Sequence, residues 1–484
     1  MTKYGLVADR KLRRSALVSG LAVASLLFGA QVSLAQVTQN QPVEAPAEAP
    51  VTENAPVEAP ATEAPATEAP AGEAPSDDAA SDMPRDPDAA ATEDADDKTV
   101  PSGPPAEPAP EPDPISAQIG REGLKATAKS LAALPDPTDA QRFALAGVQF
   151  LSGVESALQL RWQMDLSTQV SDLPLLRLPL PPNPDPKPFR PESVKELFVA
   201  VDNSMIEARK ALVPLGKDDF GLTIALDDLW FDIDSNGVRD DSESLMPILT
   251  SLMGGIGVDD QAQALPVVRF DRADADWLLA YTHMLSGVSS VVQAYDPTEA
   301  IARVTEARKK FGYMTAGEMY GMYVPLDFVD AAAVIVRSLR GQPNVEKATR
   351  AKSEFLAMFA ANKSFWKRVE TETDNQAEWI PNARQQSAMG IELPPETGEM
   401  WQAVLTEGED ILNGRTLLPF WRGNFGINVG RMFTDPRPID LIDWFQGAGA
   451  LPYLESGKIA SFEAARRFGD LFYGNGMLVS LWLN

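Results

Sequence analysis

Between Ile115 and Asn484 apolar residues recur mainly at spacings of three and four, the period that predicts one helix after another. Thr138 and Gln141 stand at capping-box spacing ahead of Phe143, Leu145, Val148, Leu151, Val154 and Leu158. A hydroxyl and an amide so placed can satisfy two of the N–H groups that a first helical turn leaves free. Pro191 opens the stripe Val194, Leu197, Phe198, Val201, Met205, and Asp296-Pro297 predicts a cap and a first-turn proline before AIARVTEARKKF. Gly341 closes DFVDAAAVIVRSLR, and a long helix is predicted from about Asn344 to Val369. Pro395-Glu396 begins another helix that ends near Gly414, and Phe462 to Phe472 carries the last. Strand-like alternation is scarce, GLTIAL at 221–226 being the best case. The expectation is an all-α fold, a multi-helix array with an irregular, aromatic-rich C-terminal region.

Two stretches break the pattern. LPLLRLPLPPNPDPKPFRP, residues 173–191, holds too many prolines for a helix, because each lacks an N–H and crowds the preceding turn. Its alternating Leu and Arg predict a strap lying on the body. Leu151-Ser152-Gly153-Val154 with Ser156 and Gln159 returns as Leu285-Ser286-Gly287-Val288 with Ser290 and Gln293, and Phe143 falls opposite Trp277 in the same register. A duplication fits this match, and so do two helices converging on Ser and Gly where backbones approach closely. A sub-boundary of the helical region is expected near 341–375.

The first quarter of the chain carries no such periodicity. Lys3, Arg10, Lys11, Arg13 and Arg14 precede an apolar run from Ala16 to Ala30, and Ser33 and Ala35 supply small residues for cleavage before Gln36. Residues 1–35 therefore read as a signal peptide, the run being short of the ~20 residues a membrane span needs. The Arg13-Arg14 pair faintly resembles a twin-arginine signal, and ordinary positive charge before an apolar core is the favoured reading. From Gln36 to Pro114, units such as VEAPAEAP and GEAP repeat with 19 acidic and 2 basic side chains, 17 prolines and no aromatic. Such a stretch cannot bury a core, so 36–114 reads as a disordered acidic linker. Fully extended at ~3.1 Å per residue it would reach on the order of 240 Å, enough for a spacer, though a solubilising tail explains it as well. The globular part is 115–484, and the protein is expected to be periplasmic or secreted, with no integral membrane span after cleavage.

Composition removes several chemistries. A formal charge of -27 argues against nucleic acid as a partner, since phosphates would be repelled. The chain has no cysteine, which excludes disulfides, thiolate metal sites and thiol nucleophiles. His283 is its one histidine, so triads and two-histidine zinc sites lack their usual parts.

One segment carries explicit chemistry. In FDIDSNGVRDDSE, counting Asp232 as one, side-chain oxygens of Asp232, Asp234 and Asn236 fall at positions one, three and five. Gly237 at six permits a sharp turn, Val238 offers its carbonyl at seven, Asp240 acts at nine directly or through water, and Glu243 closes the set at twelve. Ca²⁺ takes six to eight oxygens, and alternating side chains in a short loop can supply them. The segment resembles the EF-hand loop and its relatives in dockerins and other exported bacterial modules, over these twelve residues only. The resemblance implies one bound calcium, with Asp232, Asp234, Asn236, Val238, Asp240 and Glu243 as ligands. Arg239 replaces the apolar residue that position eight normally uses to pair with a second loop, which points to a solitary, structural site. The competing reading is an acidic turn in which Asp240 or Asp241 caps the helical turn that follows.

Other candidates have blander explanations. His283 in WLLAYTHMLSGV is expected to be a core residue bonded to a neighbouring carbonyl. Asp271, Asp274 and Asp276 suit a helix's first turn as well as a cation. Trp379, Trp401, Phe420, Trp421, Phe425, Trp444, Phe445 and Tyr453, interleaved with Arg415, Arg422, Arg431 and Arg437, suggest core packing or a groove for a peptide or glycan. The expected function is that of an exported, calcium-binding, non-enzymatic envelope protein whose surface engages a protein or cell-wall component. The alternative is a cell-wall glycan-cleaving enzyme of the lytic transglycosylase or muramidase kind, with Glu155-Ser156 as its catalytic element. It lacks the Gly-Leu-Met-Gln and Ala-Tyr-Asn motifs of that family, and it turns on whether Glu155 lines an open groove.

Overall fold

The computed structural model describes residues 110–472 apart from 165–177, 179, 249–264, 312–325, 376 and 391–392, together with 479, 480 and 483. The expected signal peptide, nearly all of the expected linker and part of the expected proline strap lie outside these residues.

The described body is mostly helical, as the periodicity requires. Helix α1 (Pro114–Ala132) starts at Asp113, whose carboxylate takes the Ile115 N–H at 3.1 Å. It is broken at Gly123, where φ is 76° and ψ 176°, a conformation that only glycine adopts at little cost. Helix α2 (Asp139–Gln163) carries the capping box: Thr138 Oγ1 accepts from Gln141 N at 3.3 Å and Gln141 Oε1 from Thr138 N at 2.9 Å. From its C-terminal end the strap folds back, with Lys187 N donating to Gln163 O at 2.7 Å and Asn183 Nδ2 to Trp162 O at 2.8 Å. Helix α3 (Ser193–Leu212) then lies along α2.

Strand β1 (Leu222–Ala225) falls within the alternating GLTIAL segment and pairs antiparallel with β2 (Val267–Phe270). Helix α4 (Arg272–Tyr295) follows directly and packs along α7 (Val345–Val369) on one side and α3 on the other. Between them α5 (Thr298–Phe311) packs on α6 (Leu326–Arg340), which Gly341 terminates. Asp296 holds the start of α5, accepting from Thr298 N at 3.2 Å. Asn344 caps α7 through Lys347 N at 2.9 Å. Helix α7 runs through most of the 341–375 stretch and also touches α8 (Thr397–Leu412).

The C-terminal region is irregular, as expected, yet it contains a small antiparallel sheet of β3 (Leu418–Pro419), β4 (Gly426–Ile427) and β5 (Leu454–Glu455). Short helices α9 (Val429–Thr434) and α10 (Leu441–Gln446) separate β4 from β5, and α11 (Glu463–Leu471) packs on α8.

The two Ser-Gly segments do similar work. A Cβ on Gly153 would lie 2.8 Å from Ser204 of α3, and one on Gly287 would lie 2.6 Å from the Phe355 ring of α7. Each glycine lets a neighbouring helix come closer than any side chain would allow.

Candidate functional site

The loop Asp232–Glu243 leaves a clasped neck. Phe231 N donates to Glu243 O at 2.9 Å and Leu245 N to Leu229 O at 3.2 Å, with Trp230 bridged to Ser244. Its entry is a 3₁₀ turn (Leu226–Asp228) followed by a short extended stretch through Trp230, and its exit is a single 3₁₀ turn (Asp241–Glu243). The likeness to an EF-hand thus stays within twelve residues, without the flanking helix pair.

Inside the neck the chain turns sharply. Gly237 has φ 73°, the left-handed conformation that position six was expected to need, and Ser235 has φ 63°. Asp232 Oδ1 takes the Gly237 N–H at 3.1 Å, Asp234 Oδ1 takes that of Asn236 at 2.9 Å, and Asn236 Oδ1 takes that of Val238 at 2.6 Å. These bonds wind the loop so that acidic side chains at alternate positions turn to one side.

The result is a group of three carboxylates, Asp232, Asp234 and Glu243, each offering an oxygen within 4.8 Å of the others. Glu243 is buried, and its carboxylate accepts from Ile233 N at 2.7 Å and Asp234 N at 3.3 Å through Oε1, and from Asp240 N at 3.4 Å through Oε2. Burial raises its pKa despite those donors. Asn236 and Val238 stand on the exposed turn. Asp240 is engaged by its own turn: its Oδ1 takes Ser242 N at 2.7 Å and Ser242 Oγ at 2.6 Å, completing a capping box with Glu243. Of the six expected ligands, three converge, two border the turn, and Asp240 makes the cap that was the competing reading.

Helix α2 reaches the loop from below. Glu155, 7 % exposed, accepts the Asp232 N–H at 3.0 Å, and Gln159 Nε2 donates to Asp232 O at 2.7 Å. Burial pushes the Glu155 carboxyl up to about 7, with the charges of Asp232 and Glu243 adding to the rise. Glu155 therefore does not line an open groove. It is a buried brace for the loop's first carboxylate residue, Asp232.

A second group escaped the sequence reading. Asp271, Glu372 and Glu378 bring one oxygen each within 4.8 Å, around the start of α4. Asp271 and Asp274 form a reciprocal cap there, Ala273 N donating to Asp271 at 2.8 Å and Asp271 N to Asp274 at 2.9 Å. The first-turn explanation thus accounts for these two. Asp276 is bonded to Arg272 at 2.8 Å, Ser364 at 2.6 Å and Arg368 at 2.9 Å. Glu372 and Glu378 arrive from the segment after α7, which docks on β2 through Arg269 N to Ala377 O at 3.0 Å. Burial pushes Glu372 up to about 8, Asp271 upward, and Asp274 well above the usual carboxylate range. No local pattern could reveal this group, because Asp271 lies about a hundred residues from Glu372 and Glu378 in sequence.

His283 needs a correction. Its partner is a carboxylate and not a carbonyl: Nδ1 lies 2.7 Å from Glu354 Oε2. Glu354 also meets Arg350 at 3.2 Å and Arg209 at 3.4 Å, and Arg350 makes a bidentate pair with Asp202 at 2.6 and 2.7 Å. Burial alone would raise the Glu354 pKa, yet the His283 hydrogen bond and the two guanidinium charges leave it lowered. This chain of charges ties α3, α4 and α7 together.

Most C-terminal aromatics are structural. Trp401 packs against Phe468 with ring centroids 5.0 Å apart, and Tyr453 is buried. Trp421, Phe425 and Phe445 are exposed, with Arg422 stacked 5.3 Å over the Trp421 ring.

The chain matches no known protein family, no curated protein and no solved structure. Its function must be argued from the loop itself.

Proposed function

We propose that this is an exported, calcium-binding protein of the cell envelope, without catalytic activity, in which one ion at Asp232–Glu243 has a structural role. The observation that carries the reading is the convergence of Asp232, Asp234 and Glu243 in a loop turned by Gly237. Three carboxylates so close repel one another, and a hard divalent cation relieves that repulsion with the oxygens it prefers. The Asn236 amide and the Val238 carbonyl would complete the shell. Export follows from the N-terminal sequence, and extracellular calcium suits a solitary loop of this kind, whose affinity falls at roughly 10⁻⁴–10⁻³ M. The body would present its surface to another envelope component. Glu155, on which the glycan-cleaving alternative relied, is buried against the loop, which supports the calcium reading over it.

Calorimetric titration of chelator-treated protein tests the reading, beside a double variant Asp232→Ala, Glu243→Ala. One calcium should bind the wild type per chain, magnesium should substitute poorly, and the variant should give no heat. At a tenfold excess over Kd the ion should add about 1.4 kcal/mol of stability. A wild type silent at millimolar calcium, or a double variant that binds as well, would overturn it.

A further inference from the structure

The residues leading into the loop are gripped by α1 at three points. Asp228 Oδ2 accepts from Ser116 Oγ at 2.5 Å, and the same hydroxyl takes the Ala225 N–H at 3.0 Å. The Asp228 carboxylate lies against Gly120, where a Cβ would sit 2.7 Å from Oδ1. Two residues on, Trp230 is 3 % exposed, and its indole N–H donates to Ile119 O at 3.1 Å. Its ring fills the space opened by the break at Gly123, where a Cβ would stand 3.0 Å from Cζ2. The next alternate residue is Asp232, the loop's first carboxylate, whose two backbone groups are held by Glu155 and Gln159 of α2.

Asp228 closes the 3₁₀ turn Leu226–Asp228 and Trp230 follows in extended chain, and both side chains meet α1. Trp230 is also the residue bridged to Ser244, next to Glu243. The seat of Trp230 in α1 therefore fixes the neck through which the first and last carboxylates of the loop are brought together.

We propose that the broken helix α1 is a positioning element for the calcium site, with Ser116, Gly123 and Trp230 as the positioning residues, so that seating of α1 and binding of calcium form one coupled equilibrium. This rests on the calcium reading above. Its physical content is reciprocity: whatever factor calcium adds to the seating of α1, a well-seated α1 adds to calcium affinity. The break at Gly123 then has a use, because a continuous helix would leave no room for the indole beside it. Glu155 and Gln159 of α2 hold Asp232 two residues further on, so α1 and α2 together hold the loop entrance.

Two measurements on the full chain test this. Hydrogen exchange of residues 114–132 is followed in chelator and in millimolar calcium, with magnesium as control, and calcium affinity is measured by calorimetry for wild type, Ser116→Ala, Gly123→Ala and Glu122→Ala. Calcium should slow exchange across α1 about tenfold or more in the wild type. Ser116→Ala should weaken calcium binding several-fold and Gly123→Ala more, each losing α1 protection in proportion. Glu122→Ala, an exposed change on the same helix, should alter neither. If Gly123→Ala does not fold, Ser116→Ala decides the matter. Calcium binding with α1 exchange unchanged, or Ser116→Ala binding within twofold of wild type, would overturn the inference while leaving the calcium reading intact. Absence of any calcium heat in the wild type would defeat the reading itself, and the inference with it.

Discussion

Replacing Glu372 by Gln should change the way stability depends on pH. Burial among Asp271, Asp374 and Glu378 pushes the Glu372 carboxyl up to about 8, from 4.5 for a free side chain. Between those values the folded protein holds a proton that the unfolded chain releases, so stability falls as pH rises. Asp271 and Asp274 are raised as well and act in the same direction. At 1.36 kcal/mol per pH unit, the interval corresponds to roughly 5 kcal/mol for Glu372 as an upper bound. Glu372 is only part-buried, and solvent screening reduces the figure to about 2 kcal/mol. Gln keeps the shape and its contact with Gln385 but never ionises. Urea unfolding in chelator at pH 5, 6.5 and 8.5 measures the effect by far-ultraviolet circular dichroism. The wild type should lose about 2 kcal/mol more than the variant between the extremes. General repulsion in so acidic a chain affects both proteins alike and cancels in the difference. A wild-type–variant gap that is the same at pH 5 and pH 8.5, or that changes in the opposite sense, would refute the reasoning.

Two further changes probe the helix core. His283→Gln leaves Glu354 with a weaker partner and should cost about 1–3 kcal/mol in urea unfolding. Recovery of an assayable hydrolase that dies on this change while the fold survives would refute the non-catalytic reading. Gly287→Ala drives a methyl into the Phe355 ring at 2.6 Å and should cost about 1–3 kcal/mol, so an unchanged midpoint would mean that α4 and α7 can separate freely.

How much was legible in advance follows from how local each feature is. The caps at Thr138 and Asp296 and the stop at Gly341 depend on residues within one helical turn, and all of them are seen in the structure. The strand at 222–225 showed through its alternation, but its partner β2 did not, because four residues of VVRF are too few to separate strand from buried helix. The turn at Gly237 and the three converging carboxylates were likewise written within twelve residues. Asp240 was not, since a short acidic side chain can reach inward to an ion or back to its own turn, and spacing does not distinguish the two. The break in α1 also escaped notice: Gly123 sits in an ordinary helical pattern, and only Trp230, far along the chain, explains it. The partner of His283 lies 71 residues away on another helix, which is why a neighbouring carbonyl was expected in its place.

Asn362 of α7 shows what such distances mean during synthesis. Its side chain is fully buried, donating to Leu483 O at 2.9 Å and accepting from Trp401 Nε1 at 2.9 Å. Leu483 itself is inaccessible, 121 residues downstream. Until that residue has left the ribosome, Asn362 faces an unfilled gap with its amide hydrogens unmet, and Phe365 and Trp366 beside it lack part of their cover. An unmet amide in an apolar recess costs a few kcal/mol, a large share of what holds a domain together. Helices can form as the chain emerges, but this part of the core closes only once the segment around Leu483 is available. Loss of the segment around Leu483 should therefore open the middle of α7, and nascent chains stalled before it should be the forms most exposed to proteases and holding chaperones.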